Sequence, residues 1–352
     1  KNDIVNMNMA LYARSPVLLA GDIDRGGVYA SFIGTMEVFS EAERKLVAGF
    51  LVNRFRGDIT FLAAAHEFLE VWTGRKVLGV IPYLSRLDLP EEDSVAFKEG
   101  LNEASAPAEN AVVVAVIDLP HISNFTDFDA LRIEPDVCVK VVRSVEDTGN
   151  PDAVILPGSK NVMADLTFLK ETGLARKILE LAGNGKTEII GICGGFQMLG
   201  SLIADPAGIE SPRESAREAL GLLPVVTRLF PEKILRRIKA KHLPSGLDLY
   251  GYEIHHGRTA AGNLQPCIRT DQGDIIGLEA KEGRIWGTYL HGLFDADAFR
   301  RWLIDRLRLR RGWPACGEIR AVYDLEPAFE RLAAAVRESV NMKVIYKIMG
   351  LL

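Results

Sequence analysis

The sequence is poor in cysteine: Cys138, Cys193, Cys267 and Cys316 are the only four in 352 residues, and no two form a CxxC pair. That spacing excludes a disulfide framework and a cysteine zinc site, and it fits a reducing cytoplasm. Long apolar runs are missing too, with nothing near the ~20 residues a membrane helix needs. The opening KNDIVNMNMALYARS lacks the basic-then-apolar order of a signal peptide, so no membrane partner is expected. Nor is there an excess of positive charge. Lys and Arg total 42 against 47 Asp and Glu, a formal net charge of -5, which leaves no basic field to hold a nucleic-acid backbone. Finally, no initiator methionine precedes Lys1, and the sequence contains no GxxxxGK[ST] phosphate loop. A chain that starts inside a longer protein is the expectation.

What is present is globular, with 48% hydrophobic and 25% charged residues and a length that suggests two domains. SPVLLAGDID, LVAGFLVNRF and VLGVIPYL are short apolar runs that end in polar residues, separated by helix-like stretches such as FLAAAHEFLEVWTG. This alternation predicts an α/β fold with a parallel sheet and a site at the carboxyl ends of its strands. Residues 101–110, inside the small-residue stretch EGLNEASAPAEN, read as a linker between a first domain, 1–100, and a second, 111–310. AVVVAVIDLP, VCVKVV, DAVILPGS and EIIGIC open the second series. From about Leu220 the pattern changes to glycine-separated strands, YGYEIHHGRT, DIIGLEA and RIWGTYLHGLF, which predict antiparallel additions. Residues 311–352 read as a helical tail, and the arginine-rich face of DADAFRRWLIDRLRLRRGW reads as solvent-facing. RRIKAKH, Arg236 to His242, reads as a solvated basic loop.

EIIGICGGFQMLG carries the chemistry. A β-branched run meets a helix-forming run at Cys193, and Gly191, Gly194 and Gly195 surround it. On such a strand-to-helix turn the central side chain projects from the top of the sheet, and only small neighbours fit the crowded backbone. The start of the helix would favour a thiolate and donate N–H groups to an oxyanion, so Cys193 reads as a nucleophile. A thiol needs an imidazole base. His291, at the end of RIWGTYLH and before Gly292, is the first candidate, with His255 and His256 of GYEIHHG as rivals.

At these residues the sequence resembles the class I glutamine amidotransferase domain, a flavodoxin-like α/β fold, through GICGGFQMLG and WGTYLHGLF; PGSKNV is similar to that domain's oxyanion loop. The resemblance implies that Cys193 attacks glutamine, that His291 shuttles the proton, and that the amides of Gly158 or Ser159 and of Gly194 hold the tetrahedral oxygen. Many members carry a glutamate two residues after the histidine, where this sequence has Leu293; Glu253 is a possible substitute for orienting the ring. DIDRGGVYASFIGT, NRFRGD, LGVIPYL, SNFTDFDAL, LPGSKN and GYEIHHGRT extend the likeness to the cobyric acid synthase family over nearly the whole chain. That likeness implies amidation of corrin-ring carboxylates, on a corrinoid of the cobyrinic acid a,c-diamide type, with glutamine as co-substrate and ATP and Mg2+ as cofactors. Residues 1–100 then resemble the second half of a dethiobiotin-synthetase-like, P-loop NTPase-like domain. Asn53 matches the position that reads adenine, Pro82 matches its companion loop, and Asp22, Asp24 and Arg25 face magnesium, phosphate or substrate. The two aspartates read equally well as turn residues capping the next helix, and SNFTDFD reads as an Asx-type turn without chemistry. No metal ligand set is assigned. Other readings stay open: cobyrinic acid a,c-diamide synthase, a cell-wall amidotransferase, or a polypeptide that acts only as a glutaminase or as half of a split complex.

Overall fold

The computed structural model describes residues 6–85, 87, 89, 110–211 and 214–352, so the linker expected at 101–110 lies outside the described residues except for Asn110. The chain divides into two compact units, one formed by the described residues up to 89 together with Asp324–Leu352, the other by the described residues from 110 to Tyr323. No helix among the described residues is long and apolar enough to cross a membrane.

In the first unit, Val17–Asp22, Val47–Phe55 and Val77–Pro82 make a parallel sheet in that order. Helices Val28–Val38 and Ala63–Thr73 place Val28, Phe32, Met36 and Leu69 against Phe50, Val52 and Val80 of the strands. Asp22 ends its strand in register with Asn53, two residues before the end of the neighbouring one, and Pro82 ends the third. The stretch read as a tail, 311–352, divides at Asp324. Helices Glu326–Ser339 and Met342–Ile348 close this first unit, because Val340 bridges Gly79 and the Asn341 N–H donates to the Leu78 carbonyl at 2.8 Å.

The second unit is built on a mixed sheet. Val137–Val142, Val112–Ile117, Ala153–Leu156, Glu188–Ile192 and Ile285–Thr288 lie side by side, all parallel. Their continuous apolar runs suit strands covered on both faces. Ile275–Ala280, Gln265–Thr270 and Val226–His242 then add antiparallel pairings, and Leu247–Thr259 folds back on Val226–His242 as a long hairpin. RIWGTYLH thus stands at the boundary, antiparallel to one neighbour and parallel to the strand that leads to Cys193. RRIKAKH is part of that hairpin rather than a loop, with Arg236 paired to Glu253 and Asp274.

The arginine-rich helix, Asp297–Arg310, does not turn its arginines to water. Arg300 is fully buried and pairs with Glu134 at 2.8 Å, Arg301 pairs with Glu134 and Asp136, and Arg306 and Arg310 both meet the buried Glu188. The expectation of a solvated face fails because the chain entries to the parallel strands carry matching carboxylates, here Glu134, Asp136, Asp152 and Glu188. Periodicity places the arginines on one side of a helix; it does not reveal what waits across from them.

Candidate active site

Cys193 joins strand Glu188–Ile192 to helix Gly194–Leu199 with φ 50° and ψ -104°, a left-handed backbone that a residue with a Cβ rarely adopts. Close packing holds it there. The Cys193 N–H donates to the Thr288 carbonyl at 2.7 Å, and a side chain on Gly195 would place its Cβ 1.9 Å from the Leu156 carbonyl oxygen. At Gly194 a Cβ would lie 2.8 Å from the Ser159 nitrogen, so the backbones of the elbow and of the Gly158–Ser159 loop approach within reach of one small acceptor. The elbow helix has only six residues, so its orienting power lies in these individual N–H groups rather than in a long dipole. Only 5% of Cys193 is exposed, and it opens on a cavity of about 210 Å³.

His291 is completely buried beside it. Its Nδ1 lies 2.7 Å from Asp127 Oδ2, while Asp127 Oδ1 accepts the Gly292 N–H at 2.8 Å, so one carboxylate fixes both the ring and its backbone. Tyr252 stacks on the imidazole at 5.2 Å, and the Asn124 side-chain amide is 3.0 Å from both ring nitrogens. Burial pulls the His291 pKa down, but the charge and hydrogen bond of Asp127, and then the hydrogen bond to Cys193, outweigh it and raise it to about 10. The ring is therefore held protonated at neutral pH, in hydrogen-bond contact with the sulfur.

The structure brings Cys193, His291, Gly158, Ser159 and Gly194 together: a Cβ on Gly158 would sit 3.1 Å from His291 Cε1. It does not bring Glu253 to His291. The Glu253 carboxylate is taken by Arg236 at 2.6 Å and by His255 Nε2 at 3.3 Å. The orienting acid is Asp127, from the SNFTDFD segment read as a turn without chemistry. That turn exists, with Asn124 left-handed at φ 53° and the Asp127 N–H donating to the Asn124 carbonyl at 3.0 Å. It also aims the carboxylate. The rival imidazoles are occupied: His255 Nδ1 lies 2.7 Å from the Gly257 carbonyl, and His256 Nδ1 lies 2.9 Å from that of Phe230. Gln197, one turn past the elbow and 3% exposed, lines the cavity with its Oε1 unpaired among the described residues. A buried acceptor left in that state costs about 1–3 kcal/mol unless a ligand donor meets it.

At the strand ends of the first unit, Asp22 is within 3.5 Å of both Arg25 and Arg54, and Asp24 pairs with Arg56 at 3.0 Å. Arg56 in turn lies 3.3 Å over the Tyr83 ring. No group of three or more metal-ligand side chains converges among the described residues.

Residues 113–299 match the CobB/CobQ-like glutamine amidotransferase domain. The chain is 49% identical over 352 residues to the adenosylcobalamin biosynthesis bifunctional protein CobDQ of Leptospira interrogans, covering 100% of this chain and 41% of that one. Against the cobyric acid synthase of Nitratidesulfovibrio vulgaris it is 47% identical over 388 residues, covering 99% of this chain and 72% of that relative. A third, the cobyric acid synthase of Desulforamulus reducens, is 44% identical over 364 residues, with coverage of 99% and 70%. The chain therefore spans less than half of the first relative and more than two thirds of the other two.

Proposed function

The chain belongs to the CobB/CobQ-like glutamine amidotransferase family, and from that premise we propose that it hydrolyses glutamine at Cys193 and releases ammonia for the amidation that makes cobyric acid. The observation that carries this reading is the contact of a left-handed elbow cysteine with an imidazole pinned by a buried aspartate. In the proposed reaction Sγ attacks the side-chain amide carbon, and the oxygen draws on the N–H groups of Gly194 and of Gly158 or Ser159. As the C–N bond breaks, His291 gives its proton to the leaving nitrogen and ammonia departs. Water then adds to the thioester, His291 takes its proton, and glutamate and free Sγ are regenerated. Asp127 stabilises the imidazolium and keeps the ring aimed throughout.

The names of the relatives support a corrinoid acceptor, which the proposal takes to be of the cobyrinic acid a,c-diamide type, and a soluble cytoplasmic setting is consistent with the thiol chemistry. The first unit presents Asp22, Asp24, Arg25, Asn53 and Pro82 at its strand ends, but the sequence has no phosphate loop and the aspartates are held by arginines. Paired in this way, these residues do not by themselves fit ATP and magnesium. The test is glutamate release by the purified chain: it should occur with glutamine and disappear in Cys193→Ala. Undiminished release by that variant would overturn the reading.

A further inference from the structure

The cavity at Cys193 has a second set of polar groups, which the hydrolytic chemistry leaves unused. The hairpin strands Val226–His242 and Leu247–Thr259 lose register between Leu229 and Ile234, so that Phe230, Pro231, Glu232 and Lys233 stand opposite the single residue His256. The His256 ring, bonded to the Phe230 carbonyl at 2.9 Å, pins the start of this bulge. Its last residue, Lys233, lines the cavity, and among the described residues it has no ion-pair partner. Glu210 lines the same cavity. Its carboxylate accepts the N–H groups of Met163, at 3.0 Å, and Val162, at the start of the ten-residue helix Val162–Glu171.

No cation pairs with Glu210 among the described residues either. Burial pushes it up to about 7, and the nearby charges of Asp205 and Asp165 add to the rise. A half-buried carboxylate served only by neutral donors gains from a ligand that brings a positive charge. At about 210 Å³ the cavity is below the ~300 Å³ at which drug-sized pockets begin, which suits a ligand the size of one amino acid.

We infer that Glu210 and Lys233 form a clamp for the two charges of a free α-amino acid, Glu210 receiving the α-ammonium and Lys233 the α-carboxylate, so that the site takes free glutamine and rejects amides whose α-groups are blocked. This rests on the reading of Cys193 as the glutamine nucleophile. It adds what that reading lacks: a reason why one carboxamide among the many in a cell is chosen. Peptide-bound glutamine, N-acetylglutamine and glutaminamide each lose one or both charges.

The test needs no turnover. Alkylation of Cys193 by 6-diazo-5-oxo-norleucine, which keeps both α-charges, is timed by mass spectrometry beside alkylation by iodoacetamide, which has neither. Glu210→Gln keeps an acceptor for the Met163 N–H and removes the charge; Lys233→Met removes the cation from an exposed position. Each should slow the diazo reagent about tenfold or more, the factor that 1.4 kcal/mol represents, while iodoacetamide reacts as before. In parallel, KM for glutamine should rise with kcat nearly unchanged, and Glu210→Gln should narrow the preference for glutamine over N-acetylglutamine. A diazo rate and a KM within twofold of the wild type in both variants would overturn the clamp and leave glutamine hydrolysis standing. If the loss instead appears in Lys160→Met, the assignment of Lys233 is overturned. If the wild-type chain reacts no faster with the diazo reagent than Cys193→Ala does, glutamine chemistry at Cys193 fails, and the clamp falls with it.

Discussion

Both units carry polar residues at the carboxyl ends of parallel strands, yet they hold them in opposite ways. Around Cys193 the backbone, the ring and its acid are clamped: a left-handed turn, a fully buried imidazole, and a carboxylate that binds ring and backbone together. In the first unit Asp22, Asp24, Arg25, Arg54 and Arg56 pair with one another at the solvent-facing ends of the strands. Desolvation separates the two cases. Ion pairs in water contribute little and rearrange easily, whereas a buried pair has no alternative partner and keeps its geometry. The first arrangement is a preorganised site by itself; the second has the residue types of a site without its enclosure.

That contrast can be broken most decisively at the sulfur. Cys193→Ala should reduce glutamate release to background, a loss on the order of 10⁴-fold or more for a covalent mechanism without its nucleophile. Next comes the buried arginine network beneath the same sheet. Arg300→Met leaves the buried Glu134 with Arg301 alone and strips the Phe294 and Ala321 carbonyls of their donor, which together should cost about 3 kcal/mol, read as a lower denaturant midpoint.

Asp127→Asn should follow, with hydrolysis down by on the order of 10²–10³-fold, because the ring loses both its orienting acceptor and the charge that keeps it protonated. This variant also has a pH signature. With His291 raised from 6.5 to about 10, the stabilisation from its pairing is fully present below pH 6.5 and is lost as pH climbs through about 10. Asp127→Asn should bring the alkaline limb of both stability and alkylation rate to lower pH. A limb that stays in place would mean that Asp127 does not govern the proton on His291.

The smallest effect is expected in the first unit. Asp24→Asn breaks the pair with Arg56, yet both side chains are open to water, so Tm and glutamate release should be nearly unchanged. A marked loss of stability there would show that the strand ends of the first unit are more enclosed than their exposure indicates.

The elbow was legible before folding because its requirement is local. Three glycines around one thiol describe a turn that little else needs, and Gly194 and Gly195 each prove to have backbone where a Cβ would go. His291 was legible for a similar reason, since it ends a strand whose neighbour leads to Cys193. The third member was not. Asp127 stands 164 positions from His291, and its own segment shows only a turn; nothing in the spacing connects them. The same holds for Lys233, which reaches the cavity through a bulge invisible in the alternation of its strand, and for Glu210, in a segment with no periodic pattern.

By itself the sequence determined the alternation of strands and helices and the strained cysteine, because each depends on neighbours a few positions away. Only the tertiary structure decided which acid orients His291, why the arginines of Asp297–Arg310 are buried, and which charges face Cys193. Those choices belong to pairs of groups far apart in the chain, and their energies exist only once packing has removed the water between them.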